Sequence, residues 1–160
     1  MIRGIHHVAI NTPNLDRLVA FYRDVVGFEV LESTAFEWAD APMMDTIVGI
    51  KDSASKGVIL KAANAYIEMF EYQRPAARYP DRLNPSDHGY THICLDVTDV
   101  EAEYERMSKN GMTFHAPPTS VEGGRIKTVY GRDPDGNVIE LQELAADHDM
   151  AVQRLRGYGN

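Results

Sequence analysis

Two short stretches of the sequence share one pattern: His7-Val8-Ala9-Ile10 near the start and His92-Ile93-Cys94-Leu95, which lies 85 residues later. Two further stretches match at an offset of 72 residues, Ile67-Glu68-Met69-Phe70-Glu71 and Ile139-Glu140-Leu141-Gln142-Glu143. Each half of the chain therefore contains a segment with His and then a segment with Glu. We interpret the chain as a duplication of one small unit and not as a long repeat array.

The first copy has the pattern of a strand, a helix and a second strand. The first ten residues alternate between two faces, as a strand does. Thr12-Pro13-Asn14 then predicts a helix start, and Gly27 suits the position after the helix end. Residues 28–32 are predicted to form the next strand.

The second copy repeats this order. Residues 89–97 alternate again, and Thr98 and Glu101 form a candidate capping box for the following helix. Gly111 is predicted to end that helix, and residues 112–115 to form the next strand.

We predict a single domain that spans residues 1–160 and consists of two modules, a linker and a tail. The parts are residues 4–72 (first module), 73–88 (linker), 89–143 (second module) and 144–160 (tail). Because the two offsets differ by 13 residues, the first copy must be longer between its helix and its last strand. We assign the extra length to residues 36–56, where the sequence is irregular.

Composition and charge exclude several classes of function. Hydrophobic residues make up 44% of the 160 residues and charged residues 25%, which is typical of a soluble globular protein. The net charge of -8 argues against a nucleic-acid or anionic-membrane surface, because both favour clustered Lys and Arg. No signal peptide or membrane span is recognisable, and the single Cys94 cannot form an internal disulfide. We expect a cytoplasmic protein that binds neither nucleic acid nor membrane.

The matched His and Glu residues predict a metal site. If two copies pack about a pseudo-twofold axis, His7 faces His92 and Glu68 faces Glu140. Two carboxylates in one cleft are costly unless a cation neutralises them. Imidazole and carboxylate ligands together suit nickel, cobalt, zinc, manganese or iron. We therefore predict one divalent metal ion, with open positions for water or a chelating substrate.

Taken singly, each of these residues is more often structural, since a His or Glu in a strand commonly packs or faces solvent. The internal match favours all four together. Glu71 and Glu143 also match, but they lie on the opposite strand face, so we interpret them as helix-side or solvent contacts. The other histidines have no counterpart and are interpreted as structural or exposed: His6, His88, His115 and His148.

The pattern resembles the vicinal oxygen chelate superfamily over about residues 4–143. That superfamily includes glyoxalase I, methylmalonyl-CoA epimerase, extradiol dioxygenases and bleomycin resistance proteins. Besides the four matched stretches, the segments that resemble it are Phe21-Tyr22-Arg23-Asp24, Gly27-Phe28 and Asp133-Pro134-Asp135-Gly136-Asn137. The resemblance implies an α+β fold of two tandem βαβββ modules that form a curled mixed sheet around a metal site, and a homodimer. It places the metal ligands at His7, Glu68, His92 and Glu140.

A full His-Glu-His-Glu set is similar to that of glyoxalase I. The resemblance thus implies a metal-dependent lyase or isomerase that moves a proton next to a carbonyl of a small substrate with vicinal oxygens. Glu140 or Glu68 is the expected base; we favour Glu140, although the internal symmetry does not separate the two.

Three alternatives stay open. An extradiol ring-cleaving dioxygenase uses two His and one carboxylate, which leaves Glu68 surplus. An epimerase of the methylmalonyl-CoA type usually carries Gln where Glu68 stands. A non-catalytic binding protein of the family generally lacks such ligands.

Five residues are predicted to lie near the substrate: Trp38, Tyr66, Phe70, Tyr130 and Arg132. Tyr66 and Phe70 share a strand face with Glu68, and Trp38 belongs to residues 36–49, which form either an apolar lid or a loop packed on the protein. Three linker arginines either bind an anionic carrier, such as glutathione or a thioester, or are solvated: Arg74, Arg78 and Arg82.

Overall fold

The computed structural model describes residues 2, 4–78 and 83–155. The chain divides into two compact units, Met1–Tyr79 and Pro80–Asn160, and the division falls within the segment predicted as the linker. We call these units module 1 and module 2 and describe each by itself.

Module 1 contains a four-stranded sheet and two short helices. Its elements are β1 (His7–Asn11), α1 (Leu15–Phe21), β2 (Glu29–Trp38), α2 (Pro42–Val48), β3 (Ala54–Lys61) and β4 (Tyr66–Arg74). The strand order is β1-β4-β3-β2, with β1 parallel to β4 and the other pairs antiparallel. This is a βαβββ unit with α2 added between its second and third strands.

Module 2 repeats the arrangement. Its elements are β5 (His92–Asp96), α3 (Val100–Lys109), β6 (Thr113–Phe114), β7 (Thr119–Val121), β8 (Ile126–Arg132) and β9 (Val138–Leu144). The order is β5-β9-β8-β6. Strand β6 pairs with the end of β8, and β7 pairs with its beginning. Strands β6 and β7 thus occupy the place of β2, and the predicted α+β fold of βαβββ modules is confirmed.

Both module helices begin at a side-chain cap. Asn14 is the N-cap of α1, at the helix start that the sequence predicted, and accepts a hydrogen bond from the Arg17 amide at 3.0 Å. After α1 the helix continues as one π-helical turn, Tyr22–Val26. Gly27, with φ +91°, caps the end of this turn. The left-handed backbone at this position favours glycine because it has no Cβ.

The capping box predicted at Thr98 and Glu101 is wrong. The N-cap of α3 is Asp99, which accepts from the Ala102 amide at 2.9 Å. Glu101 is the second residue of α3, in its first turn, and pairs with Lys127 at 3.1 Å instead. Asp99 is the counterpart of Asn14, so the repeat itself pointed to the correct cap.

The extra length of module 1 lies where the sequence predicted it. Residues 39–53 join β2 to β3 and contain α2, whereas residues 122–125 make the equivalent connection between β7 and β8. Strand β2 is longer than predicted because it pairs with β3 in two stretches, with a register shift between Leu31 and Phe36.

Each module buries the helix-facing side of its sheet. In module 1 the large hydrophobic side chains that are fully buried are Leu18, Tyr22, Leu60 and Met69. In module 2 they are Val100, Met107, Ile139 and Leu141. Burying one such side chain contributes roughly 1.5–3 kcal/mol, so these faces hold each sheet to its helix.

The predicted tail is in part a short helix. Val152–Arg154 form one 3-10 turn, and Ala145 donates its amide to the Arg125 carbonyl at 2.8 Å. The predictions made for Arg82 and for residues 156–160 lie outside the described residues. In the part of the chain that the structure describes, no helix has the length and apolar character needed to cross a membrane.

Candidate metal centre

Module 1 brings His7 and Glu68 together. They lie on the neighbouring parallel strands β1 and β4, where Ala9 is directly opposite Glu68. His7 Nε2 is 3.2 Å from Glu68 Oε2, and the two side chains are 40% and 20% exposed. His6 contacts the other side of the imidazole, with its Nδ1 2.9 Å from the Nδ1 of His7.

Module 2 brings His92 and Glu140 together in the same way. They lie on β5 and β9, and His92 Nε2 is 3.3 Å from Glu140 Oε2. The two side chains are 30% and 11% exposed, so this pair is less accessible than the first. Thr91 Oγ1 lies 2.9 Å from His92 Nδ1, which orients the ring.

Two neighbours of Glu140 have no counterpart beside Glu68 in the part of the chain that the structure describes. Thr128 Oγ1 donates to Glu140 Oε1 at 2.6 Å, and Tyr130 lies directly opposite Glu140 on β8. Tyr130 Oη lies 3.5 Å from His92 Nε2. Burial, followed by the hydrogen bond and charge of Glu140, raises the pKa of Tyr130 to about 12, so the phenol keeps its proton at neutral pH.

Cys94 lies directly opposite Glu140 on the same face. The residue as a whole is exposed, yet its thiol faces the carboxylate. Burial, and then the charge of Glu140, raises the pKa of the Cys94 thiol to about 12. A protonated thiol is a poor nucleophile, because the thiolate is the reactive form.

The helix-side interpretation of Glu71 and Glu143 is confirmed. Glu71 Oε2 accepts from the Leu15 amide at 2.7 Å, and Glu143 Oε2 accepts from the Val100 amide at 3.0 Å. Both carboxylates therefore lie at a helix N-terminus, where negative charge is stabilised. They bind the helix on one sheet face, while Glu68 and Glu140 point to the other.

Two of the predicted substrate residues of module 1 lie in an aromatic cluster on the Glu68 face. The cluster consists of Phe36, Trp38, Phe70 and Tyr72, with ring centroids 5.3 to 6.2 Å apart. Trp38 is buried, and its indole N–H donates to Ser53 Oγ at 2.9 Å. Burial and the charge of Glu68 raise the pKa of Tyr72, which shows that the cluster borders this carboxylate. Tyr66 stacks on His6 with centroids 4.9 Å apart.

The structure gives Arg132 a structural contact. Its guanidinium donates to the Gly136 carbonyl at 2.6 Å and to the Leu83 carbonyl at 2.9 Å. The sequence singled out Arg132 by position, but its side chain is engaged in holding the last turn. In the linker, Arg74 likewise pairs with Asp40 at 2.9 Å and with the Asp52 carbonyl.

The donor set of each pair fits a divalent metal. Each module presents one imidazole nitrogen and one carboxylate oxygen on the same face and at closely similar separations. Among the described residues, no Lys or Arg forms an ion pair with Glu68 or Glu140, so the imidazole is the partner of each carboxylate. The described residues contain no ready group of three or more His, Cys, Asp or Glu side chains for a metal. Each module by itself therefore supplies half of the predicted ligand set.

Sequence reasoning missed Thr128. This residue has no partner in the repeat, and a threonine in a strand carries no signal of its own. Only the register of β8 against β9, in which Tyr130 is opposite Glu140, places Thr128 beside the carboxylate. A correct prediction of the β8–β9 hairpin would have pointed to Thr128. Tyr130 is opposite Glu140 in that hairpin, and Thr128, two residues earlier, lies on the same face of the sheet.

The fold, the duplicated pairs and comparison with known proteins agree on one class. The family model of the Glyoxalase/Bleomycin resistance protein/Dioxygenase superfamily matches residues 4–141, and the chain belongs to this superfamily. A 2-epi-5-epi-valiolone epimerase from an Actinomyces species is 30% identical over 149 residues, which cover 89% of this chain and 80% of that protein.

Two further comparisons agree. A lactoylglutathione lyase from Salmonella typhimurium is 27% identical over 154 residues, 96% of this chain and 97% of that one. The crystal structure of a glyoxalase family protein from Bacillus cereus superposes with a TM-score of 0.79 over 90% of this chain and 95% of that one, at 18% identity. At that identity the structural likeness establishes the fold alone.

Proposed function

We propose that this protein is a divalent-metal-dependent lyase or isomerase that moves a proton at a carbon next to a carbonyl. The observation that carries the proposal is the duplicated His–Glu pair, His7 with Glu68 and His92 with Glu140, at matching strand positions in both modules. Superfamily membership makes a metal-dependent enzyme the expected class. The relatives named above include both a lyase and an epimerase, and both names are compatible with proton transfer.

The residues of the two pairs have separate tasks in this proposal. His7 and His92 would hold the metal through an imidazole nitrogen, and Glu68 and Glu140 would hold it through a carboxylate oxygen. The bound ion would polarise the substrate carbonyl and hold it by its vicinal oxygens. One of the two carboxylates takes the proton from the carbon next to the carbonyl and returns it, as a general base and then a general acid.

Tyr130 and the aromatic cluster complete the proposed site. The Tyr130 hydroxyl keeps its proton at neutral pH and therefore acts as a hydrogen-bond donor to a substrate oxygen or to Glu140. The Phe70 ring lies on the Glu68 face and provides an apolar wall for the carbon skeleton. We propose a homodimer as the assembly and a small molecule with vicinal oxygens as the substrate.

Epimerisation is the second candidate within this class. It is favoured by the 30% identity with the Actinomyces epimerase, although the resemblance seen in the sequence expected Gln at the position of Glu68. The dioxygenase alternative is disfavoured because Glu68 is not a surplus carboxylate on a solvent face. It pairs with His7 as Glu140 pairs with His92.

The test combines metal analysis with an isotope experiment. Protein loaded in turn with nickel, cobalt, zinc, manganese or ferrous iron is incubated in D2O with three probes: methylglyoxal with glutathione, 2-epi-5-epi-valiolone, and a catechol. We expect deuterium at the carbon next to the carbonyl of one of the first two probes. Oxygen uptake with the catechol, or tight binding of a probe without exchange under any metal, would contradict the proposal.

A further inference from the structure

The two carboxylates of the duplicated pairs are held very differently. Glu140 Oε1 accepts the Thr128 hydroxyl at 2.6 Å, which leaves Oε2 facing His92. The same hydroxyl has a second acceptor, the Leu141 carbonyl, at 3.1 Å. A hydroxyl has only one proton to donate, and a charged acceptor forms the stronger hydrogen bond. Thr128 therefore donates its hydrogen bond to the carboxylate and not to the Leu141 carbonyl.

Burial makes this hydrogen bond matter. Glu140 as a residue is 8% exposed, and a carboxylate withdrawn from water needs donors to offset the lost solvation. A bond to Oε1 alone also fixes which oxygen is turned toward His92. The side chain is therefore held in one orientation before any metal arrives.

Among the described residues of module 1, no side chain makes the equivalent hydrogen bond to Glu68. The antiparallel register places Ile59 opposite Glu68, where module 2 has Tyr130 opposite Glu140. Counting two residues back along each strand places Gly57 at the position of Thr128. Gly57 cannot become a threonine by simple substitution, because a Cβ there would overlap the Met69 carbonyl and the Phe36 ring.

We propose that Thr128 is a positioning residue that presents Glu140 Oε2 to the metal, which makes module 2 the preorganised half of the centre. This inference rests on the proposed metal-dependent function and adds an asymmetry that the sequence repeat does not contain. Partners of this kind, which orient a metal ligand, typically change metal affinity by about 10–100-fold when they are removed.

The experiment measures cobalt binding by the metal-free protein, with no substrate present. The variant Thr128→Val keeps the shape and removes the donor, and Thr128→Ser restores the donor. Thr119→Val is the matched control, since Thr119 is exposed and lies opposite Thr128 on β7. We expect Thr128→Val to weaken Co2+ binding by about tenfold or more and to change the visible spectrum of the bound ion. Thr128→Ser and Thr119→Val are expected to bind as the wild type does.

The outcomes separate this inference from the function on which it rests. If the wild type binds Co2+ and Thr128→Val binds it equally well, or if Thr128→Ser is as weak as Thr128→Val, the role of Thr128 is wrong and the metal site stands. If the wild type binds none of the five metals, both are wrong. Should Thr128→Val lose the wild-type circular dichroism, Thr128→Ala is titrated under the same criteria. If Thr128→Val weakened cobalt binding only by destabilising the fold, it would lower the melting temperature of the metal-free protein, and Thr128→Ser would not restore cobalt affinity.

Discussion

Module 1 and module 2 share a helix-bearing face and differ on the face that carries chemistry. On the helix side, Glu71 and Glu143 bind the first amide of α1 and of α3 in the same way. On the other side, Glu68 pairs with His7 and borders Tyr72, whereas Glu140 pairs with His92, accepts a hydrogen bond from Thr128 and lies beside Tyr130. The two copies thus share the contacts that hold each helix on its sheet and differ in the contacts around the proposed metal ligands.

The largest expected effect concerns the two carboxylates. Glu140→Gln and Glu68→Gln should each lower kcat/KM on the substrate found in the screen by about 10²–10⁴-fold, because each removes a ligand and a candidate base. Glu140→Gln should also lose more bound cobalt, since the better-held ligand of the preorganised half is replaced. Metal content and steady-state kinetics measure both effects.

The control for this pair is Glu143→Gln, which makes the same change on the same strand but on the opposite face. It should keep wild-type metal content. Equal metal loss in Glu140→Gln and Glu68→Gln would remove the proposed asymmetry between the modules.

The next effect tests the faces that the modules share. Leu60→Ala in module 1 and Leu141→Ala in module 2 each empty a fully buried position, and each should cost about 2–5 kcal/mol of unfolding free energy. Urea denaturation measures the cost. Leu83→Ala, at a position 41% exposed, is the matched control with a small effect. A loss below 1 kcal/mol in one module would show that its core collapses around the cavity and that the two cores are not equivalent.

A smaller effect is expected at the matched helix caps. Glu71→Gln and Glu143→Gln retain an acceptor but remove the charge near a helix N-terminus, and each should cost about 0.3–1 kcal/mol. The two values should be similar, because the side chains are 24% and 27% exposed. Chemical denaturation at low and high salt measures this loss of unfolding free energy, and the loss should be smaller at high salt. A loss in only one module would contradict the equivalence of the two helix faces.

The smallest effect is local and confined to module 1. Asp45 accepts hydrogen bonds from the Ser53 amide, the Ser53 hydroxyl and the Asp52 amide, and these bonds lower the pKa of Asp45 below its ordinary value. For an acid whose pKa is lowered in the folded state, the stabilisation is present above the ordinary pKa and is lost as the pH falls. We expect residues 39–53 to open below about pH 4.

Hydrogen exchange at the Ser53 amide measures this opening. It should be slow at pH 6 after correction for the intrinsic rate, and Asp45→Asn should remove the pH dependence. Residues 122–125, the short equivalent in module 2, provide the internal comparison. Equal pH-dependent opening at both connections would argue against Asp45 as the cause.

Much of the fold was open to prediction because the chain contains its own comparison. The match of His7 with His92 and of Glu68 with Glu140 gave the module order, the site of the extra segment and the helix-side role of Glu71. Where prediction relied on a local motif alone it did less well. The capping box at Thr98 and Glu101 satisfied a sequence rule, yet Asp99 is the cap, as its counterpart Asn14 is.

The sequence by itself determined that each half pairs a histidine with a glutamate, since strand periodicity and duplication are properties of residue order. Only the tertiary structure decided how each pair is surrounded, because Thr128 and Tyr130 reach Glu140 through the register between two strands and not through spacing along one. Register depends on the hairpin between β8 and β9 and on the packing beneath it, so residues that look alike in the repeat acquire different neighbours when the chain folds.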